Sequence, residues 1–325
     1  MSDDRSLPSV SVILPAYNAG PFIAEALQSV LDQDYPALDI IVMDDGSKDD
    51  TEARVAPFLP RVRYFRQPNS GGFPGEVRNA GIRHATGEYL AFLDADDVML
   101  PGRIRAQSSF LSAHPDVGLV FSNYRNFSSE GPAPVTHFEF CELIAERLAR
   151  SGGTSVVLAG VDATRHLAQE NFAIPSATML RRKVLDVVPG FPKLQTSEDF
   201  MFFYLVARRC AVAALAEPGA MRRLHSSNAT GDFVRALNNY TASRALLRES
   251  ETDSESARLL ADFICHAELQ LAREYGDRKL YGKAFAHNLR ALRWSGSLRF
   301  RNAPAGLRML ARTAAIATQL KSATR

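Results

Sequence analysis

Glu88-Tyr89-Leu90-Ala91-Phe92-Leu93-Asp94-Ala95-Asp96-Asp97 decides the fold. Its first half is a short apolar run that reads as a buried strand. The chain then leaves the sheet and at once presents Asp94, Asp96 and Asp97. That puts three carboxylates at a strand's C-terminal edge, which in open α/β sheets is the ligand crevice. Carboxylates this close repel one another unless a cation or donors compensate. Hard oxygen ligands suit Mg²⁺ or Mn²⁺, and such ions usually bridge to substrate phosphates. The ordinary structural alternative is an acidic turn capping a helix from Pro101.

Upstream, strand and helix alternate. Val10 to Leu14 is a β-branched strand, Pro15 to Gly20 a turn, and Phe22, Ile23, Ala26, Leu27, Val30 and Leu31 recur at helical spacing. Asp39 to Met43 is a second strand, ending at Asp44-Asp45-Gly46-Ser47, with a helix from about Asp49. Val62 to Phe65 is a third strand. A glycine loop at 69–75 then opens a helix from Glu76 to Ala85. This order implies a mainly parallel sheet with helices on both faces.

Downstream, Val117 to Phe121 is another strand, and the pattern weakens from Tyr124 to Phe172. Ser176 to Leu180 reads as a strand, Arg181 to Val188 as a short helix, and Glu198 to Arg209 as a helix with an apolar face. Val212 to Leu215 and Met221 to Leu224 read as the last strands, and the chain is helical from Asn238. The expected organisation is a catalytic domain over 1–235, with a nucleotide half at about 9–122 and an acceptor half at about 123–235. A basic α-helical extension follows over 236–325.

Composition excludes several classes. With 325 residues, 46% hydrophobic, 23% charged and a net charge of +2, the chain is an ordinary globular protein whose global charge names no partner, nucleic acid included. Cys141, Cys210 and Cys265 are odd in number and widely spaced, fitting neither a metal site nor a disulfide framework. A reducing cytoplasm is expected. Met1 to Pro8 is short and polar, without a signal-peptide core. No stretch approaches the roughly 18 consecutive apolar residues of a membrane span, so any membrane contact is expected to be peripheral.

Other motifs carry chemistry more weakly. A carboxylate of the Asp44-Asp45 turn suits a nucleobase or ribose, although Asp-Gly-Ser also serves a plain turn. The loop at 71–75 opens a helix bearing Arg78, and a helix N-terminus with an arginine attracts phosphate. It is neither a dinucleotide fingerprint nor a P-loop. Ser197-Glu198-Asp199 suits a helix start, or delivers a general base to the crevice. His225, after Arg222-Arg223-Leu224, is a candidate contact for metal or phosphate.

Taken together, Ser11 to Asn18, Asp44 to Ser47, Arg78-Asn79-Ala80-Gly81, Asp94 to Asp97 and the stretch Arg181 to Asp199 resemble family-2 glycosyltransferases of the GT-A fold. The resemblance covers roughly residues 9–228 and is strongest between 9 and 115. It implies an inverting transferase that uses a nucleotide-diphosphate sugar, with a UDP-sugar the expected donor. It implies that Pro15, Ala16 and Tyr17 line the nucleotide pocket and that the Asp44-Asp45 motif meets the base through Asp45. Arg78 is expected near base or phosphate, and Asp94, with Ala95 beside it, on the ribose or sugar side. Asp96 is expected to hold Mg²⁺ or Mn²⁺ with His225 nearby, and Asp199 to be the catalytic base.

Rival readings have specific defects. A sugar nucleotidyltransferase would carry a glycine-rich loop where Pro15-Ala16-Tyr17-Asn18 stands. A processive synthase would carry membrane helices and a Gln-x-x-Arg-Trp motif, which Arg290 to Trp294 matches only at its end. A catalytically inactive sugar-nucleotide or glycan-binding module is the non-enzyme alternative, yet every needed acid is present.

After Asp277 the chain has no Asp or Glu, while eleven Lys and Arg follow. Leu289, Leu292, Trp294, Leu298 and Phe300 interleave with Arg290, Arg293, Arg299 and Arg301. Such a composition suits the surface of an anionic membrane, and equally a solvated helix pair. A glycan or lipid-linked acceptor at the inner face of the plasma membrane is the matching expectation.

Overall fold

The computed structural model describes residues 7–225 and 233–294. The chain divides into two compact units, Met1–Ser226 and Ser227–Arg325.

The first unit is built on β1 (Val10–Ala16), β2 (Leu38–Asp44), β3 (Arg63–Arg66) and β4 (Tyr89–Phe92), which pair in parallel in the order β3-β2-β1-β4. Every residue of β1 except Pro15 is buried, as apolar runs in the middle of a parallel sheet should be. Helix α1 (Ile23–Leu31) buries Ile23, Ala26, Leu27 and Val30 on the sheet face that carries Val10, Val12 and Leu14. Helix α2 (Thr51–Val55) is short and gives way to a 3-10 turn at Ala56–Phe58, where Pro57 supplies no N–H. Helix α3 (Pro74–His84) covers the opposite face, where Val77 and Ala80 pack on Met43. Its approach is close: a Cβ on Gly81 would lie 2.4 Å from Ile13 Cγ2. The Arg-Asn-Ala-Gly motif therefore includes a packing residue.

The sheet continues through β5 (Val98–Met99), β6 (Val117–Ser128), β7 (Gly131–Pro132), β8 (Ser155–Leu158), β9 (Thr178–Arg181) and β10 (Ala211–Arg223), giving ten strands. Helix α4 (Arg103–Ala113) precedes β6. The fold is the expected GT-A α/β class with a mainly parallel core, with one feature periodicity did not reveal. β9 is antiparallel to both β4 and β6 and joins them. The expected short helix after it is a 3-10 turn, Arg182–Asp186. The two expected last strands are one, β10, whose register slips around Leu215, Pro218 and Ala220. A proline cannot donate to the ladder, so the strand bulges there and continues. The weakly patterned stretch holds α5 (Glu142–Arg150), β8 and α6 (Gly160–Gln169). Helix α7 (Glu198–Ala207) is nearly all apolar after its first two residues.

The second unit contains α8 (Phe233–Glu249), α9 (Ser254–Asp277) and α10 (Tyr281–Trp294). Asp253 caps α9 by accepting the Ser256 N–H at 2.8 Å. Between α9 and α10, buried His287 meets Glu268 at 2.6 Å, and Arg290 donates to the same carboxylate at 3.1 Å. Among the described residues no helix is long and apolar enough to cross a membrane. Leu298, Arg299, Phe300, Arg301 and the rest of the expected basic tail lie outside the described residues.

Candidate functional site

The C-terminal ends of β1, β2 and β4 deliver three turns to one edge of the sheet. The first two turns are zipped together. Asn18, at φ +49°, donates its N–H to Ser47 Oγ at 2.9 Å and accepts from the Lys48 N–H at 2.8 Å. Asp45 donates its N–H to the Ala16 carbonyl at 2.8 Å. Pro15 and Ala16 close β1, and Tyr17 follows with half its surface exposed (50%).

The paired aspartates at the end of β2 differ. Asp44 is fully buried; it accepts the Ser47 N–H at 2.8 Å and the Tyr64 hydroxyl. Burial and the bond to Asp44 push the Tyr64 phenol up. Asp44 thus holds the turn, and its side chain is not brought to the crevice. Asp45 faces the loop after β3. It accepts from Gln67 Nε2 and the Ser70 N–H, each at 2.8 Å, and from Ser70 Oγ at 2.7 Å.

At the end of β4, Asp94 donates its N–H to Ser176 Oγ at 3.0 Å and accepts from Arg78 Nη2 at 2.5 Å. Ala95 is buried and adds only backbone to the turn. Asp96 lies 2.9 Å from His225 Nε2, and its carbonyl accepts from Arg223 Nε at 2.8 Å. The His225 ring stacks on Phe22 at 4.8 Å. Asp97 turns inward and accepts the Arg223 N–H at 2.8 Å. Burial first, then the charges of Asp96 and Asp94, raise its carboxyl well above the usual range.

Helix α7 brings in the fourth element. Ser197 sits at φ +68°, a conformation non-glycine residues hold only when their surroundings enforce it. Glu198 and Asp199 follow. Glu198 is buried and accepts from Arg78 Nη1 at 2.7 Å. Burial and neighbouring Asp199 push Glu198 up to about 7 against the pull of Arg78. Burial also raises Asp199, with Arg78 and its bond from the Phe200 N–H opposing. A carboxylate raised above its ordinary value is better suited to taking a proton.

The structure therefore gathers Asp94, Arg78, Glu198 and Asp199 at one point, with Asp96 and His225 paired at the same turn. Arg78 is buried, with both terminal nitrogens on carboxylates. Sequence reasoning missed Ser176, a fully buried serine, and Arg103. The Arg103 guanidinium donates to the carbonyls of Ser176, to Thr178 at 2.8 Å and to Phe92 at 3.2 Å, tying β9 and β4 together beneath the acidic turn. Nothing in a single buried serine or helix-start arginine signals such a partner. Tyr124 was also missed. Its ring stacks on His137 at 4.3 Å and its phenol feels the charges of Arg222, Asp97 and Asp199.

Among the described residues no three His, Cys, Asp or Glu side chains converge into a complete cation cage. Asp96 and His225 offer one hard oxygen and one imidazole, a pair that would fit part of the shell of a divalent cation.

Comparisons with known proteins agree with this architecture. The sequence profile described as glycosyl transferase family 2 matches residues 11–188. Glycosyltransferase GlyG of Streptococcus pneumoniae is 34% identical over 138 residues, 41% of this chain and 45% of GlyG. The GalNAc(5)-diNAcBac-PP-undecaprenol beta-1,3-glucosyltransferase of Campylobacter jejuni is 38% identical over 101 residues, 30% of this chain and 33% of that enzyme. The chain spans only part of the curated relatives it matches, 20% and 35% of the length of uncharacterized glycosyltransferases from Rickettsia felis and Rickettsia typhi. Among solved structures, S. aureus TarS 1-349 with UDP-GlcNAc aligns at TM-score 0.65 and 18% identity, over 87% of this chain and 81% of that one. The mannosyltransferase PcManGT from Pyrobaculum calidifontis, in complex with GDP-Man and Mn²⁺, aligns at TM-score 0.60 and 19% identity, over 98% and 87% of the two chains. With its matched profile, its α/β sheet and its acidic turns at the strand ends, this chain is a member of glycosyl transferase family 2.

Proposed function

We propose that the chain is an inverting, metal-dependent transferase that moves a sugar from a nucleotide-diphosphate donor, a UDP-sugar first, to an acceptor hydroxyl. The observation that carries this reading is the meeting of two carboxylate groups from distant segments. Asp94 ends β4, Glu198-Asp199 opens α7, and both are held by one buried guanidinium. A donor-side acid and a poised base at one crevice are what a single displacement requires.

Asp199 takes the proton of the acceptor hydroxyl as that oxygen attacks the anomeric carbon. The bond from that carbon to the diphosphate oxygen breaks on the opposite face, so an α-linked donor gives a β-linked product. Asp96 and His225 would hold a divalent cation, which would supply charge neutralisation for the departing diphosphate. Pro15, Ala16 and Tyr17 line the nucleotide side. Asp45 accepts from the base, and since Gln67, Asn69 and Ser70 already donate to it, donor binding exchanges those bonds for new ones. Asp44 supports that turn from below.

The C. jejuni relative is named for a lipid-linked glycan acceptor, and a similar acceptor suits the basic tail of this chain. The three cysteines are free. The reading is tested by incubating UDP-glucose, UDP-GlcNAc and GDP-mannose with the protein, Mn²⁺ and a panel of glycan acceptors. Release of nucleoside diphosphate with a β-linked product is expected. Retention of the α configuration, or absence of turnover with intact donor binding, overturns it.

A further inference from the structure

Arg78 does more than neutralise acids. We propose that Arg78 is the positioning residue that sets the catalytic base: by gripping Asp94 with one terminal nitrogen and Glu198 with the other, it fixes the Glu198-Asp199 turn of α7 against the end of β4. The proposal rests on the transferase reading, and it reassigns Arg78 from substrate contact to internal clamp.

The geometry leaves the guanidinium little freedom. Its two Nη atoms lie 2.5 Å from Asp94 Oδ1 and 2.7 Å from Glu198 Oε1. The group sits 5.5 Å from the centroid of the Phe191 ring, and that ring meets Phe92 of β4 edge-on at 5.2 Å. Arg78 is only 4% exposed. A planar fork held on two carboxylates and an aromatic ring is oriented in three ways at once.

The helix that carries Arg78 also docks the chain leading into α7. Asn79 Nδ2 donates to the Phe191 carbonyl at 2.8 Å, and Asn79 Oδ1 accepts the Phe191 N–H at 2.9 Å. Gly75 makes the fit possible: a Cβ there would lie 2.9 Å from the Pro192 carbonyl oxygen and 3.1 Å from Glu198 Cγ. Three contacts of α3 therefore hold residues 191–198, and Arg78 carries that hold across to the acidic turn. A salt bridge between residues 120 positions apart has no local purpose. Its effect is to fix the distance between a donor-side carboxylate and the base.

The charges around Asp199 give this role a readout that simple packing lacks. Glu198 faces it from the same helix, Arg78 from α3, Asp94 from the end of β4, and the Tyr124 phenol from β6. The charge of Asp199 helps hold the Glu198 carboxyl up, so Asp199 ionises first and Glu198→Gln leaves its titration near wild type. Removing the positive charge of Arg78 moves the Asp199 titration to higher pH.

The experiment compares Glu198→Gln, Arg78→Gln and Arg78→Lys with wild type. The pH dependence of kcat is followed for hydrolysis of the fastest of UDP-glucose, UDP-GlcNAc and GDP-mannose, with Mn²⁺ and water as acceptor. Carboxyl ¹³C NMR titration of Asp199 is run beside it and needs no turnover. The acid limb and the NMR midpoint are expected to rise by about one pH unit in Arg78→Gln and to stay near wild type in Glu198→Gln, where loss of the clamp lowers kcat about tenfold at unchanged donor KM. Arg78→Lys keeps the charge and loses the fork, so its midpoint stays near wild type while kcat falls about tenfold at unchanged donor KM. A midpoint that does not move in Arg78→Gln, or a kcat unchanged in Glu198→Gln, overturns the proposal. So does a donor KM raised tenfold in Arg78→Lys at constant kcat, which would make Arg78 a phosphate ligand. If a variant at Arg78 does not fold, Glu198→Gln decides alone. Loss of the transferase reading is recognised separately, as absent turnover with the NMR shifts still present.

Discussion

His225 Nε2 lies 2.9 Å from Asp96 Oδ2 and joins residues 129 positions apart. The bond brings the end of the β10 segment onto the turn after β4. The neighbouring Arg223 reinforces it, bonding the Asp96 carbonyl through its side chain and Asp97 Oδ1 through its own N–H. The acidic turn is thus gripped from one side by Arg223 and His225 and from the other by Arg78. Its carboxylates are organised by protein hydrogen-bond partners before any ligand arrives, which reduces the ordering cost of donor binding.

A cation held by Asp96 should appear as metal-dependent nucleotide affinity. UDP is expected to bind at least about tenfold more tightly with Mn²⁺ than with chelator. Asp96→Asn should lose that gain and leave the metal-free affinity unchanged. Calorimetry reads both. Equal affinities with and without chelator in the wild-type protein would remove the metal role of Asp96.

Asp199→Asn is expected to lower kcat by at least about a hundredfold, within the range general-base removal produces. Donor affinity should stay within about twofold, because the base acts on the acceptor proton. Steady-state kinetics and a UDP titration on the same preparation separate the two. Turnover within tenfold of wild type would pass the role to Glu198.

The opposite edge of the sheet supplies a stability prediction. Asp39, near the start of β2, accepts from Ser11 Oγ at 2.8 Å, Arg63 Nη1 at 2.9 Å and Thr86 Oγ1 at 3.1 Å. Burial raises its carboxyl, but these bonds outweigh burial and the net shift is downward. A depressed folded-state value means stabilisation that is present above the unfolded value of about 3.9 and is lost as pH falls through the folded value. Asp39→Asn should therefore cost about 1–2 kcal/mol at pH 7, and less as pH falls through the depressed folded value. Thermal melts at pH 7 and through the acid range test it, and a loss that does not change with pH would show that packing, not ionisation, is at stake.

Legibility followed locality. β1, β2 and β4 were readable because central parallel strands are apolar throughout, and their terminal acids stand next to them in sequence. Strand direction has no such signature, so antiparallel β9 was invisible as such. The α5–β8–α6 stretch was obscured by its surface: Val157 and Val161 are exposed, so neither period stands out. In the candidate site, Asp45, Asp94, Asp96 and Asp199 were visible as residues, whereas their orientation was not. That Asp44 faces inward to Tyr64, or that Arg78 faces Glu198, depends on contacts between segments that no spacing encodes.

The basic C-terminal region yields the last prediction, and the structure changes how it must be tested. A chain ending near Asp277 would remove α10, whose Ala291 packs on Cys265 and whose His287 and Arg290 both meet Glu268. Such a truncation exposes the apolar face of α9 and leaves Glu268 buried without its partners, so altered lipid binding would mean little. Basic residues of this region are also engaged. Arg278 pairs with Glu274 at 2.7 Å, while the Arg293 guanidinium lies 5.9 Å from the Trp294 ring. The membrane reading therefore shifts to the residues beyond Trp294, where Arg299, Arg301, Arg308, Arg312, Lys321 and Arg325 accompany Leu298, Phe300, Leu307, Met309, Leu310, Ile316 and Leu320. The informative comparison is full-length protein against a chain ending after Trp294, in flotation with phosphatidylcholine vesicles that contain increasing phosphatidylglycerol. Full-length binding should rise with anionic lipid and fall steeply between about 0.1 and 0.5 M salt as screening shortens the reach of each charge. The shortened chain should melt at the same temperature and lose about tenfold or more of the binding. Binding that ignores lipid charge, or that survives this truncation, would leave the tail as a solvated appendage with no membrane role.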